Sequence, residues 1–498
     1  MKHFQPVLAL LCAIVLLVGV LSACGGGGKK PVVTESGENT AAGSSAGTAE
    51  PDAFDYESGD RLDKSLDYGN DPFKIITWNT QLISDWIPEY SDNLSAVDEA
   101  IYKHLVNVED RLNLDISIQE IPGRYAQMES FIETLDSYKM AGLMPDLVCQ
   151  YSLSASIGML RGLYDDLLQP NHIDYDAPWW NKSLVEGNTV HESLYYITGD
   201  MTPTITYNMY LMMFNKELIE RYHLESPYTM VDEGNWTLGR FMELIKDTAL
   251  NPNSSGTYNS ADNVMYGLDV RKLSVDAFQT GFGISAVAKQ NTNDNWTLSK
   301  DYTGTRMTDI VDTVRAMVFN NPDVFYDKDG TYDLVPFTDN HAIFLTATPY
   351  DVERAIRDHG MEVGVAPIPK YDAQQEGYGT RLGVTVSLFS VPAGLGDDYA
   401  RSTAVVEALA IDGYRNLTPV VFEKTFCTRY ANRPEDTEMF LLVRDSIVYD
   451  PGNFYNALSS FSALRNCVYN DSSWQTYLDS KLMARHVPAL ADINKMGT

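Results

Sequence analysis

Hydrophobic and polar positions change pattern several times along the chain, and each change predicts a different kind of segment. Val7 to Val20 is an unbroken apolar run. From Gly25 to about Asp71 Gly, Ser, Thr, Ala, Glu and Asp dominate and apolar periodicity disappears. Such a stretch buries too little surface to offset the entropy of ordering it, so a disordered tether over residues 24–71 is predicted. Folded sequence opens at Phe73-Lys74-Ile75-Ile76-Thr77-Trp78-Asn79, a strand pattern that ends in an aromatic and an amide. Val97, Ile101, Leu105, Val108 and Leu112 then recur at helical spacing, and Leu114 to Ile118 alternates as a strand.

A second unit follows: a helix around Ala126 to Met140, a strand Pro145 to Tyr151 and a helix Ser154 to Leu163. Strands alternating with helices predict an α/β fold built on mostly parallel sheets flanked by helices, with ligands at the carboxyl ends of the strands. Trp78, Asn79, Gln150 and Tyr151 occupy those ends. Pro178 to Glu217 reads as a crossing between two lobes: a Trp pair, the strand pattern Ser193 to Ile197, a polar break at Thr198-Gly199-Asp200, an apolar run Tyr207 to Phe214, then a helix start. Helices at Leu238 to Ala249 and Thr308 to Phe319 and a strand His341 to Leu345 continue the second lobe. Further strands are predicted at Val363 to Pro367 and Thr385 to Val391, then helices at Tyr399 to Tyr414 and from Pro419 to the end.

The order Trp179-Trp180-Asn181, Leu194 to Asp200, Tyr207 before an apolar strand, and Phe214-Asn215-Lys216-Glu217-Leu218 resembles the extracellular solute-binding proteins of ABC importers, in the clade related to maltose-binding protein. Gly234-Asn235-Trp236-Thr237, Phe337-Thr338-Asp339-Asn340 and Ala366 to Asp372 extend the resemblance from about residue 72 to the end. The resemblance implies a type II, two-lobed periplasmic-binding-protein-like fold with a hinge, in which the chain returns to the first lobe near residue 348. The lobes are then 72–200 with 348–418, and 201–347 with 419–498, and Val363 to Pro367 belongs to the first. It also implies a non-enzymatic receptor that passes a solute to ABC permease subunits.

Composition narrows the partners. The 498 residues carry a formal net charge of −31, with 44% hydrophobic and 11% aromatic content. No basic stripe is present, and phosphate binding needs clustered Lys and Arg, so a nucleic-acid partner is excluded. Lys2, the apolar run and Leu21-Ser22-Ala23-Cys24 resemble a bacterial lipoprotein signal (residues 1–23) with lipid on Cys24. This places the protein on the extracellular face of the cytoplasmic membrane. Of the remaining thiols, Cys427 and Cys467 are nearest in sequence, and a disulfide and free thiols stay equally open. Asn251 to Asp262 has calcium-loop spacing with amides where carboxylates belong, and Asp327 to Gly330 is a turn signal; neither is assigned a metal, and no cofactor is implied.

A sugar offers hydroxyls and an apolar ring face, so its site needs carboxylates or amides interleaved with aromatics. Trp78, Asn79, Tyr151, Trp179, Trp180, Asp200, Tyr207, Phe278 and Tyr350 are the candidates, and a small-molecule solute, favourably an oligosaccharide, is the expected ligand. Core packing competes for each, most strongly for Trp179, Trp180, Tyr207 and Phe278. No catalytic residue is assigned: histidines are scattered, and Gly43-Ser44-Ser45-Ala46-Gly47 lacks the strand and helix a nucleophile elbow needs. A glycoside hydrolase using two carboxylates, or an adhesin or sensor on the same scaffold, stays open.

Overall fold

The computed structural model describes residues 54–80, 83–251, 258–290, 295–327, 330, 334–351, 360–422 and 434–496. Among these the strands are β1 (Asp71–Trp78), β2 (Leu114–Ile121), β3 (Leu147–Tyr151), β4 (Leu211–Asn215), β5 (Tyr266–Arg271), β6 (Val287–Lys289), β7 (Trp296–Leu298), β8 (Val324–Asp327), β9 (Ala342–Ala347), β10 (Val363–Ala366), β11 (Thr380–Arg381), β12 (Ser387–Ser390) and β13 (Ile447–Val448). β1 is buried from Ile75 to Trp78 because it pairs in parallel on both sides, with β2 (Ile75 opposite Ile118) and β3 (Ile76 opposite Val148). A strand covered on both faces needs a continuous apolar run, which this sequence supplies.

Two sheets repeat one plan. The first runs β12-β3-β1-β2 and the second β10-β4-β9-β5-β8. Each has a parallel trio in the spatial order second, first, third: β2-β1-β3 and β8-β5-β9. Beside each third strand lies an antiparallel strand that the chain delivers after crossing from the other lobe, β12 on β3 and β4 on β9. The sheets are therefore mixed. β10 pairs antiparallel with β4, Val365 opposite Met213, which corrects the expected placement of Val363 to Pro367 in the first lobe. The return crossing lies after β10 and before β12, not near residue 348.

Helix Ala96–Leu112 shows how the sequence sets its own boundaries. Ser95 and Asp98 form a capping box, Asn113 closes the helix in a left-handed conformation (φ 51°), and Ile101, Leu105, Val108 and Leu112 face inward. Helix Asp398–Asp412 meets it through Asp412, which accepts from Asn107 Nδ2 (2.9 Å) and contacts His104 Nδ1 (2.8 Å).

Part of the expected tether, residues 24–71, is folded chain, and residues 24–53 lie outside the described residues. Asp55 to Asn70 straps onto the first lobe: Leu62 is buried, Tyr56 donates to Asp174 (2.7 Å) and sets its ring edge-on to Trp179. Burial raises the Asp60 carboxyl, but Arg111 (2.6 Å) and Arg415 (3.0 Å) outweigh it and hold the group below its ordinary range. An irregular strap held by polar anchors leaves no periodicity to read. Cys467 is a buried free thiol donating to the Ser472 carbonyl, while Cys427 lies outside the described residues.

Candidate functional site

The lobes are joined by two segments lying side by side, Gly199 to Tyr210 outbound, which includes the helical turn Thr204–Tyr207, and Thr380 to Ser387 returning. Met209 and Leu382 form an antiparallel bridge between them. Tyr210 N donates to the Arg381 carbonyl (2.9 Å) and Gly383 N to the Asn208 carbonyl (2.9 Å). Asn208 ties the pair with its side chain, donating to the Thr204 and Thr385 carbonyls and accepting from Thr385 Oγ1 (2.6 Å). A Cβ at Gly383 would stand 3.1 Å from Asn208 Oδ1, so the two segments approach closely there. A few paired backbone positions between two rigid sheets make a hinge.

Where the lobes meet, helix Ser152–Leu160 of the first receives Pro451 to Leu458 of the second. Asn456 N donates to Ser156 Oγ (3.1 Å), and Tyr455 Oη contacts Met159 Sδ (3.0 Å). Beside this contact is a pocket of about 500 Å³ lined by Tyr125 and Met128 from the first lobe and by Asn456, Ala457, Ser459, Phe461, Ser462, Asn466 and Arg485 from the second. Tyr125 is 55% exposed and meets the edge of Phe461 across the gap, ring centroids 6.5 Å apart. Aromatic faces, two amides, three hydroxyls and one guanidinium suit a polyol with an apolar face. A second pocket of about 310 Å³, between helix Lys182–Asn188 and the β6–β7 hairpin, offers Trp296, but that ring is buried and its N–H is taken by the Thr189 carbonyl (3.3 Å).

This chain is similar in structure to a cyclo/maltodextrin-binding protein complexed with maltotetraose (TM-score 0.52, 13% identity, 86% of this chain and 98% of that one). It is likewise similar to UspC of M. tuberculosis (TM-score 0.55, 12% identity, 84% and 100%). A third similar structure is the galacto-N-biose-/lacto-N-biose I-binding protein of the ABC transporter from Bifidobacterium longum in complex with lacto-N-biose (TM-score 0.52, 12% identity, 86% and 96%). The chain has the two-lobed solute-binding-protein fold. No protein-family model matches the chain, and no curated protein matches it in sequence.

Within this solute-binding-protein fold, three of the residues singled out from sequence gather on the pocket side of the first lobe. Trp78 packs on Tyr151 (centroids 5.2 Å) and donates to Ser387 Oγ (2.9 Å). Burial, and then the neighbouring Tyr125, push the Tyr151 phenol up, and its hydroxyl makes no hydrogen bond among the described residues. Asn79 positions the loop carrying Tyr125, accepting from Gly123 N (2.9 Å) and Arg124 Nε (2.7 Å). Beneath them Asp85 is fully buried where the hinge segments meet the sheet, accepting from Ser387, Thr202 and Cys149; burial raises its carboxyl and those donors oppose the rise.

The other candidates lie in packing positions. Trp179 and Trp180 are buried and donate their indole N–H groups to the two oxygens of Glu407, each at 3.0 Å. Asp200 is buried and bound by both oxygens to Arg444 Nη2 (2.7 and 2.9 Å), with Thr418 donating a third bond, so an alanine there disrupts a buried ion pair rather than an open binding surface. Burial raises the Asp200 carboxyl and Arg444 pulls it back, while the same attraction raises Arg444. Tyr207 is buried with Ile101, Leu417 and Val421, and Tyr350 packs against that cluster. Phe278 is buried against Phe282 (5.5 Å).

Tyr125, Phe461, Asn456, Asn466 and Arg485 were not singled out from sequence. Tyr125, Asn456 and Phe461 sit in single-turn 3₁₀ segments, whose only sequence signal is an aromatic or amide in a polar stretch. Among the described residues no group of His, Cys, Asp or Glu could hold a metal ion. Half of the Asn251 to Asp262 loop, residues 252–257, with Lys328 and Asp329, lies outside them.

Proposed function

We propose that this protein is a receptor that closes two lobes around a saccharide and delivers it to ABC permease subunits without altering it. The observation that carries the reading is the pocket formed jointly by Tyr125 and Phe461 from opposite lobes beside the paired hinge segments. Closing the hinge brings the two rings together on the ligand, and opening it separates them, so capture and release need no covalent chemistry. The saccharides named with the similar maltodextrin- and lacto-N-biose-binding proteins favour the same ligand class. Cys24 is the proposed lipid site, and residues 25–54 the tether that holds the receptor at the extracellular face of the bacterial cytoplasmic membrane. Among the described residues no helix is long and apolar enough to cross a membrane.

Calorimetric titration against a panel of oligosaccharides, with chromatography of the recovered sugar, tests this. One or more sugars bind and are recovered intact. Tyr125→Ala and Phe461→Ala each weaken binding about tenfold or more, the value of about one lost aromatic contact. The Tyr125 variant keeps its melting temperature because that ring is mostly exposed. Shortened sugar products, or no saccharide bound across the panel, defeat the proposal.

A further inference from the structure

Within a chain carrying 68 Asp and Glu against 37 Lys and Arg, the interlobe pocket is lined by no carboxylate among the described residues and by one cation, Arg485. Arg485 Nη1 donates to Ser459 Oγ (3.1 Å), a neutral partner, and forms no ion pair among the described residues. The wall behind it is charge-balanced, two guanidiniums against the buried Asp276 and Asp450 carboxylates. Arg381 is buried and spends its guanidinium on neutral acceptors, Asn453 Oδ1 (2.9 Å) and the carbonyl of Phe461 (2.6 Å), the residue whose ring faces the pocket. Arg465, next to the lining Asn466, is paired with Asp276 (3.0 Å). A neutral sugar needs acceptors for its hydroxyl hydrogens, and carboxylates supply them best; this pocket supplies amide and hydroxyl groups and a guanidinium instead. Guanidinium is the group that matches a carboxylate or sulfate through paired N–H donors. Long-range repulsion from the net negative chain is screened within about 8–10 Å at ordinary salt, so the one charge lining the pocket, Arg485, decides.

From this we infer that the ligand is an anionic saccharide, one bearing a carboxylate or a sulfate ester, with Arg485 as the group that reads the charge. The inference rests on the saccharide-receptor reading and narrows it. The full receptor is titrated with trigalacturonate, a sulfated lactose, maltotriose and lactose, at low and at high salt. An anionic probe binds about tenfold or more tighter than its neutral counterpart, the preference shrinks in high salt, and the two anionic arms tell carboxylate from sulfate. Arg485→Gln erases that preference while the melting temperature holds, since the side chain is exposed. Maltotriose or lactose binding as tightly as the anionic probes overturns the inference and leaves the saccharide receptor standing. An anionic preference that survives Arg485→Gln also overturns it. Absence of binding by all four probes and by the wider oligosaccharide panel defeats the receptor reading itself.

Discussion

Arg381→Ala will lower unfolding free energy by about 3–5 kcal/mol, the range for removing one member of a buried charged network. Arg381 is only 3% exposed and lies on the returning hinge segment, yet both hydrogen-bond partners of its side chain, Asn453 and the Phe461 carbonyl, belong to the second lobe. Alanine leaves those two acceptors without a donor and removes the cation that faces the buried Asp276 and Asp450 carboxylates. Burial already raises both acids, with Arg381 among the groups holding them down, so its loss drives them further toward the neutral form. Urea titration gives the size of the loss. Arg381→Lys keeps the charge but not the fork that spans two acceptors and recovers part of it. A loss below about 1 kcal/mol, the scale of one ordinary hydrogen bond, would show that the guanidinium does not hold the lobes together.

Glu407→Ala is expected to cost about 2–5 kcal/mol, the range for emptying a large buried side chain's volume and leaving its hydrogen-bond partners unsatisfied. One carboxylate on helix Asp398–Asp412 accepts Trp179 Nε1, Trp180 Nε1 and the Asp174 backbone N–H (3.2 Å), so alanine strands buried donors beside a cavity. Glu407→Gln keeps the shape but points an amide donor at donors and costs about 1–3 kcal/mol. The pH dependence carries more information. Burial pushes the Glu407 carboxyl from 4.5 up to about 8, against the pull of the three N–H donors. A folded-state pKa raised above the unfolded value contributes stability that is fully present below about 4.5 and is lost as pH rises through about 8. Glutamine does not titrate, so the stability gap between wild type and Glu407→Gln narrows from about pH 5 to about pH 9. A gap that stays constant or widens would mean that the donors keep the group ionised throughout.

The parts of the molecule legible in the sequence are those fixed by local pattern. Strand β1, the helix Ala96–Leu112 and the crossing near Gly199 follow from periodicity and a polar break. Sheet membership is not local. Val363 to Ala366 reads as a buried strand in either lobe, and only its pairing with Met212 to Asn215 assigns it to the second. The Trp pair reads as a sugar platform because its acid partner lies 227 and 228 residues away, and no spacing rule connects them. Asp200 misleads in the same way, its guanidinium partner arriving 244 residues later. The pocket itself is assembled from irregular turns on both lobes, where a hydrophobic pattern carries no information about direction.

Distance across the mouth tests the central claim most directly. Met140, 83% exposed on the first lobe, and Val487, 57% exposed on the helix that carries Arg485, are replaced by cysteine for spin labels, and the distance distribution is recorded with and without saturating trigalacturonate or maltotriose. A two-lobed clamp gives a broad distribution alone that narrows and shortens with bound saccharide. A distribution that does not change while calorimetry shows the sugar bound would contradict closure about the Gly199 to Tyr210 and Thr380 to Ser387 hinge.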